Sequence, residues 1–210
     1  MKSATTSQLA EGRLGMNVPA GWNSRQRGQT LVEFAMVMPL LLMLVLGVIE
    51  LGYALYEKHI ITRLAREGSN LISRQGTLQE AENALQAART PPITFDADGK
   101  LILSVIRLGT GGANLNQPII AQRRVVGTLS MGSVLGDPVS SAYSGAPNYS
   151  AQNPDNDSRV RIVGALPNGL TLSAGQSVYV TEVYTHHDLI TPFERFGPRL
   201  PTNLYASAYF

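Results

Sequence analysis

The sequence contains no cysteine among its 210 residues. A disulfide scaffold, a cysteine zinc site and a thiol nucleophile are therefore excluded. Net charge is also low, at +2, and the basic excess lies in the first 28 residues, which carry four cations and one acid: Lys2, Arg13, Arg25, Arg27 and Glu11. The rest of the chain carries a small negative charge, so the composition does not indicate a nucleic-acid-binding surface.

Charge is missing altogether from one long apolar segment. Sixteen consecutive residues between Glu33 and Glu50 are uncharged, and apolar character continues outward to Tyr56. At about 1.5 Å per residue the uncharged run spans about 24 Å, slightly less than a hydrocarbon core of about 30 Å. A signal peptide has a shorter apolar region, and a soluble core helix with an apolar surface all round needs a larger protein around it. We therefore predict one transmembrane helix.

The flanking charges bear on the orientation of this helix. Arg25 and Arg27 precede the segment and favour a cytoplasmic N-terminus by the positive-inside rule. Cations also follow the segment, at Lys58, Arg63 and Arg66. On balance, the residues after about position 56 are predicted to lie in the periplasm.

Glu33 distinguishes the apolar segment from an ordinary transmembrane helix. A charged carboxylate near hydrocarbon costs about 2.5 to 3.5 kcal/mol unless it is paired. Glu33 is the fifth residue counted from Gln29, and Arg27-Gly28 stands directly before that residue. Cleavage between Gly28 and Gln29 would create an α-ammonium one helical turn from Glu33, or close to the Glu33 of a neighbouring subunit. The alternative is that Glu33 extends towards the upstream arginines and has no other role.

These residues together carry a family resemblance. A basic residue and Gly28 precede the helix, Glu33 is its fifth residue, Pro39 comes early, and Gly47-Val-Ile-Glu50-Leu-Gly52 and Ala65-Arg-Glu-Gly68 follow. This pattern resembles the TadE-like minor pseudopilins of the tight-adherence (Tad/Flp, type IVc) pilus system. The resemblance is dense over residues 25–75, and a weaker similarity covers Val178 to Phe193.

The resemblance implies a set of site residues and partners. An inner-membrane prepilin peptidase would cut between Gly28 and Gln29, on the cytoplasmic side. Glu33 and Glu50 would serve subunit association, and Pro39 would kink the helix. The expected partners are the peptidase, other pilins or pseudopilins, the inner-membrane assembly platform and membrane lipid. The leader is long for the family, so translation would start at Met1 or Met16.

Beyond the membrane segment, apolar residues recur at helical spacing. The stripe consists of Leu51, Ala54, Leu55, Ile61, Leu64, Ala65, Leu71 and Ile72. It predicts that the helix continues to about Ser73 and packs on its own domain, or else forms a seam between subunits. Thr77 and Glu80 fit a capping box that begins a second helix, ending near Ala88. The expected organisation is a leader over 1–28, the long helix over 29–75 and an extracytoplasmic domain over 76–210.

After Pro91-Pro92 the pattern becomes that of short strands separated by turn residues. Five strands are predicted: Leu101–Leu108, Ile119–Val126, Arg159–Val163, Ser177–Thr185 and Leu204–Tyr209. Asp98-Gly99 is interpreted as a hairpin turn after Ile93–Phe95, and residues 127–158 as an exposed loop. The order of elements predicts an α+β, pilin-like fold in which the long helix packs on a small antiparallel sheet.

No group of residues indicates a metal, a cofactor or catalysis. In His186-His187-Asp188, neighbours on a strand point to opposite faces, so we interpret them as polar residues at a strand end. Asp155-Asn-Asp157 and Gly109-Thr-Gly-Gly112 are interpreted as turns rather than as a calcium loop or a phosphate cradle. His59 is expected at the headgroup level. Late tyrosines are expected mainly in the core: Tyr143, Tyr149, Tyr179, Tyr184, Tyr205 and Tyr209.

Three functions therefore compete. The first is a non-catalytic minor pseudopilin that is processed after Gly28. The second is an unprocessed, membrane-anchored binding module used in surface attachment or secretion. The third is a membrane-anchored enzyme, for which the sequence offers no nucleophile, metal set or acid-base pair. Cleavage after Gly28 separates the first two.

Overall fold

The computed structural model describes residues 24–74, 76–190 and 202–210, with side chains from residue 28 onward. Two helices precede four strands: α1 Ser24–Ser73, α2 Leu78–Ala88, β1 Gly99–Leu108, β2 Pro118–Val126, β3 Ser177–His186 and β4 Asn203–Tyr209. The chain divides into two compact units, one ending at Val45 and one beginning at Leu46, so α1 contributes to both.

The strands form one antiparallel sheet in the order β2-β1-β3-β4. Four of the predicted strands are confirmed to within two residues at each end. The sheet and the long helix together confirm the predicted α+β class. The last residues of the weaker similarity, after position 190, lie outside the described residues, as does most of the predicted leader.

The outer half of α1 packs on one face of this sheet. Its buried stripe consists of Ile61, Leu64, Ala65 and Ile72, which contact the core residues Leu78, Leu85, Leu101, Leu103 and Val183. This confirms that the stripe packs on its own domain. The exceptions are Leu51 and Leu55, which are more than half exposed.

Gly68 brings α1 close to β3. A Cβ atom at this position would lie 2.7 Å from both Thr181 Oγ1 and Thr181 Cγ2, which is too close for a real contact. Thr181 itself is fully buried. The Ala-Arg-Glu-Gly68 element therefore has a structural reason for its glycine, since only a residue without a side chain fits between helix and strand.

The second helix begins as the sequence predicts. The Thr77 side chain accepts a hydrogen bond from the Glu80 amide, and the Glu80 carboxylate accepts one from the Thr77 amide, so the capping box is formed. Glu82 on this helix receives two hydrogen bonds from Arg124 of β2, at 2.6 and 3.0 Å. This bidentate pair fixes α2 over the edge of the sheet.

The opposite face of the sheet is covered by residues 127–158, which the sequence predicts to be an exposed loop. They contain no α-helix or β-strand, but Leu135, Ala142 and Tyr143 are buried in a second core with Ile120 and Val180. The segment is a loop, as expected, and most of its residues are exposed, but these three side chains are buried against the sheet. Apolar residues spaced widely through a polar segment cover the sheet without forming a regular element.

Charged groups are buried beneath this covering segment. Glu182 of β3 accepts hydrogen bonds from the Ser133 hydroxyl and the Val134 amide, at 2.5 and 2.9 Å. Arg123 of β2 donates to Asp137 at 3.2 Å. Burial raises the pKa of Glu182, although these hydrogen bonds and the nearby Arg123 act in the opposite direction. The two donors to Glu182 hold the segment against the sheet.

Glu182 predicts a pH dependence of stability. Because its pKa is raised above the ordinary value of 4.5, the folded protein binds more protons than the unfolded chain between that value and the raised pKa. Stability therefore falls as the pH rises through this window. Glu182→Gln should flatten this fall, which is checked by the thermal midpoint of the full chain in detergent micelles at a series of pH values.

Glu80 provides a control of opposite sign. Hydrogen bonds from Thr77 lower the pKa of this exposed carboxyl, so its contribution is present above 4.5 and is lost as the pH falls through the lowered pKa. Glu80→Gln should remove this contribution at neutral pH, and should change the slope of the pH profile only below 4.5. If Glu182→Gln left the pH profile above 4.5 unchanged, the role assigned to burial would be wrong.

The fifth predicted strand, Arg159–Val163, does not form. Ser158–Val160 is instead a short 3₁₀ turn, begun by Asp157, whose side chain accepts from the Arg159 amide. Only Arg161 bridges the edge of β2, opposite Ile119. Val160 and Ile162 are buried, so the alternating pattern is real, but it reflects packing on the sheet rather than strand pairing.

The hairpin expected at Asp98-Gly99 is also wrong. Ile93 and Phe95 are buried in the first core, but local bonds from the Thr94 hydroxyl and the Asp98 amide to the Asp96 carboxylate form a turn. Such side-chain bonds compete with strand pairing. Gly99 then begins β1.

Candidate interaction sites on the N-terminal helix

Gly28, Gln29 and Glu33 lie together on an exposed part of α1. The Gln29 side-chain amide donates to Glu33 Oε1 at 3.0 Å, so residue 29 lies within reach of this carboxylate. A Cβ atom on Gly28 would meet nothing within 4 Å. Both residues that flank the predicted cleavage site are thus exposed, and the ion pair between a Gln29 α-ammonium and Glu33 stays a prediction.

The apolar segment that follows is the one helix, among the described residues, long and apolar enough to cross a membrane. From Gly28 to Val45 no side chain is buried. The helix is unbroken through Pro39, and a shallow apolar groove beside it is lined by Phe34, Met38 and Leu42. The bend expected at Pro39 stays a prediction.

Farther along α1, Glu50 and Glu57 lie on the buried face. They are seven residues apart, and their exposed fractions are 0% and 2%. The His187 ring lies between them: Nε2 is 3.1 Å from Glu50 Oε1, and Nδ1 is 2.8 Å from Glu57 Oε2. The Ile190 amide also donates to Glu50 Oε1, at 3.3 Å. We call Glu50, His187 and Glu57 the carboxylate-histidine clamp.

The clamp joins the start of the second unit to the end of β3. Each ring nitrogen of His187 has one carboxyl oxygen within hydrogen-bond distance, so both nitrogens have a partner within the clamp. The carboxylates lie at opposite nitrogens of the ring, and this separation prevents all three groups from ligating one ion. The clamp is therefore a buried hydrogen-bonded contact between one histidine and two carboxyl groups.

His187 corrects an interpretation made from the sequence, in which His186, His187 and Asp188 are all polar residues at a strand end. His186 and Asp188 fit that description, with Asp188 almost fully exposed, but His187 is 1% exposed. The i, i+7 spacing of Glu50 and Glu57 within the buried stripe was the available signal, because carboxylates on that face need a buried partner.

The remaining sequence candidates lie away from the clamp. The Asp155 carboxylate accepts from the Thr110 amide, the Thr110 hydroxyl and the Gly111 amide, at 3.1 to 3.2 Å. The glycine-rich loop thus holds a carboxylate of its own chain, in agreement with its interpretation as a turn. His59 is exposed on α1, and Tyr143 and Tyr184 are buried.

Comparison with known proteins gives one match, and it lies within α1. The model of a family described as TadE-like protein matches residues 28–70. The match confirms the resemblance over the segment that contains Gly28, Glu33, Pro39, Glu50 and Gly68. No curated protein and no solved structure matches the chain.

Proposed function

We propose that the chain is a minor pseudopilin that acts in the assembly of a tight-adherence pilus and has no catalytic role. The observation that carries the proposal is the family match beginning at Gly28, where an exposed apolar helix places Glu33 one turn after Gln29. The name of the family supports pilus association. Prepilin peptidase, partner pilins and the inner-membrane platform are the proposed partners.

The geometry also supports the proposed topology. The N-terminal part of α1 is exposed and apolar, as a lipid-embedded helix is, whereas the unit from Leu46 onward has two buried cores. Arg25 and Arg27 before the helix favour a single-pass anchor in the inner membrane, with the residues after about position 56 in the periplasm. The rival function, an unprocessed anchored binding module, shares this topology and differs only in processing.

Cleavage after Gly28 tests the proposal. Mass spectrometry of the chain from cells with an intact prepilin peptidase should find 182 residues, since 28 of the 210 are removed, with Gln29 first. Gly28→Ala should leave most of the chain uncut. Because nothing lies within 4 Å of the added methyl group, this defect would not reflect misfolding.

Gly52→Ala is the matched control. Gly52 also lies on α1, and a methyl group added there would likewise meet nothing within 4 Å, so this variant should be cut normally. An uncut terminus in the unmodified chain would refute processing and leave the anchored binding module.

A further inference from the structure

The clamp changes where the lipid-compatible surface of α1 ends. In the sequence, the uncharged run stops at Glu50, after about 24 Å. In the structure, Glu50 and Glu57 are both buried against His187. The first charged residue that α1 exposes after Glu33 is therefore Lys58.

This moves the end of the apolar surface to Tyr56. From Phe34 to Tyr56 is 23 residues, or about 34 Å of helix, which is enough to cross a hydrocarbon core of about 30 Å. The apolar surface is therefore no longer shorter than the hydrocarbon core, as the uncharged run in the sequence is. This difference depends on the unit from Leu46 onward, because His187 supplies the partner that keeps two carboxylates away from lipid.

Exposed apolar side chains lie next to the clamp residues along α1 and at Ile190. On α1, Leu51, Leu55 and Tyr56 are 55%, 60% and 50% exposed, and Ile190, whose amide bonds to Glu50, is 58% exposed. We call these four residues the collar. They come from two separate chain segments that the clamp holds together, and Asp188, whose side chain is 92% exposed, limits how far the second segment can enter lipid.

We propose that the collar is a lipid-binding surface, seated at the boundary between acyl chains and headgroups of the periplasmic leaflet. The inference rests on the membrane anchoring proposed above. Lipid is favoured over a second protein copy because the collar continues the apolar surface of α1. Tyr56 occupies the position of an interfacial aromatic residue, and Lys58 and His59 follow it at headgroup height.

Tryptophan depth measurements test the proposal. Trp22 is the one native tryptophan and is replaced by phenylalanine in every variant. Single tryptophans are introduced as Leu55→Trp and Ile190→Trp, in the full chain reconstituted in phosphatidylethanolamine-phosphatidylglycerol vesicles. Bromine on the acyl chains close to the headgroup should quench both fluorescences more strongly than bromine near the bilayer centre.

Two controls separate the inference from the proposed anchoring. Leu41→Trp lies within the apolar segment and should be quenched most strongly by deep bromine. Val163→Trp lies at a 92% exposed site of the second unit and should not be quenched. Quenching at position 41 without quenching at 190 would overturn the collar and retain the anchor, whereas no quenching at position 41 would overturn the anchor itself.

Discussion

Replacement of His187 by leucine is expected to destabilise the unit from Leu46 onward by about 3 to 5 kcal/mol, because it leaves two buried carboxylates without their shared partner. Glu50 and Glu57 are 0% and 2% exposed, so water cannot replace the His187 ring without opening the packing between α1 and the end of β3. The change is measured as the shift in the urea midpoint of the full chain in detergent micelles. Near-ultraviolet circular dichroism follows the packed pair Tyr184 and Tyr205.

Two further variants isolate the charge pairing. His59→Leu replaces an exposed histidine of α1 and should change stability by less than about 0.5 kcal/mol. Leucine at all three clamp positions removes the buried charges together and should recover most of the stability lost by His187→Leu alone. A triple variant no more stable than the single variant would show that His187 acts through its shape rather than its charge.

Much of the fold is predictable from local pattern. The helix end at Ser73, the capping box at Thr77 and four strand positions each depend on residues close in sequence, and all are found. The exceptions arise where local side-chain hydrogen bonds form a turn although the alternating pattern predicts a strand. Asp157 begins a turn where a strand was expected, and Asp96 does the same before Gly99.

The clamp could not be derived in the same way. His187 is 130 residues from Glu57 and 137 from Glu50, and only the packing of α1 on the sheet brings them together. The spacing of the two glutamates signals that a partner is needed, but not which residue provides it. Arg123 and Glu182 are similar, since their burial depends on how residues 127–158 cover the sheet.

The geometry separates the two glutamates that the family resemblance associates with subunit contacts. Glu50 is bonded within its own chain, whereas Glu33 is exposed and its described side-chain contact is with the neighbouring Gln29. The association role of Glu50 stays a prediction. Glu33 is the better candidate for an intermolecular partner, because its carboxylate is accessible to another helix.

Glu33→Gln is expected to abolish most co-purification with partner pilins while insertion and cleavage after Gly28 remain normal. The substitution keeps the size of the side chain and removes its charge. An unpaired charge at the bilayer centre costs about 2.5 to 3.5 kcal/mol, and this is the upper limit for how much the ion pair between Glu33 and the Gln29 α-ammonium of a neighbouring subunit would favour association. Processing is measured by mass spectrometry and association by affinity purification from membranes.

The control for Glu33→Gln is Glu67→Gln, which makes the same chemical change farther along α1, beyond the apolar surface. This variant should be cut and should associate normally. If Glu33 only extends towards Arg25 and Arg27, those partners lie in the leader that cleavage removes, and Glu33→Gln would leave association unchanged. Normal co-purification with glutamine at position 33 would therefore count against the ion-pair mechanism, whereas loss of cleavage in the same variant would assign Glu33 to recognition by the peptidase.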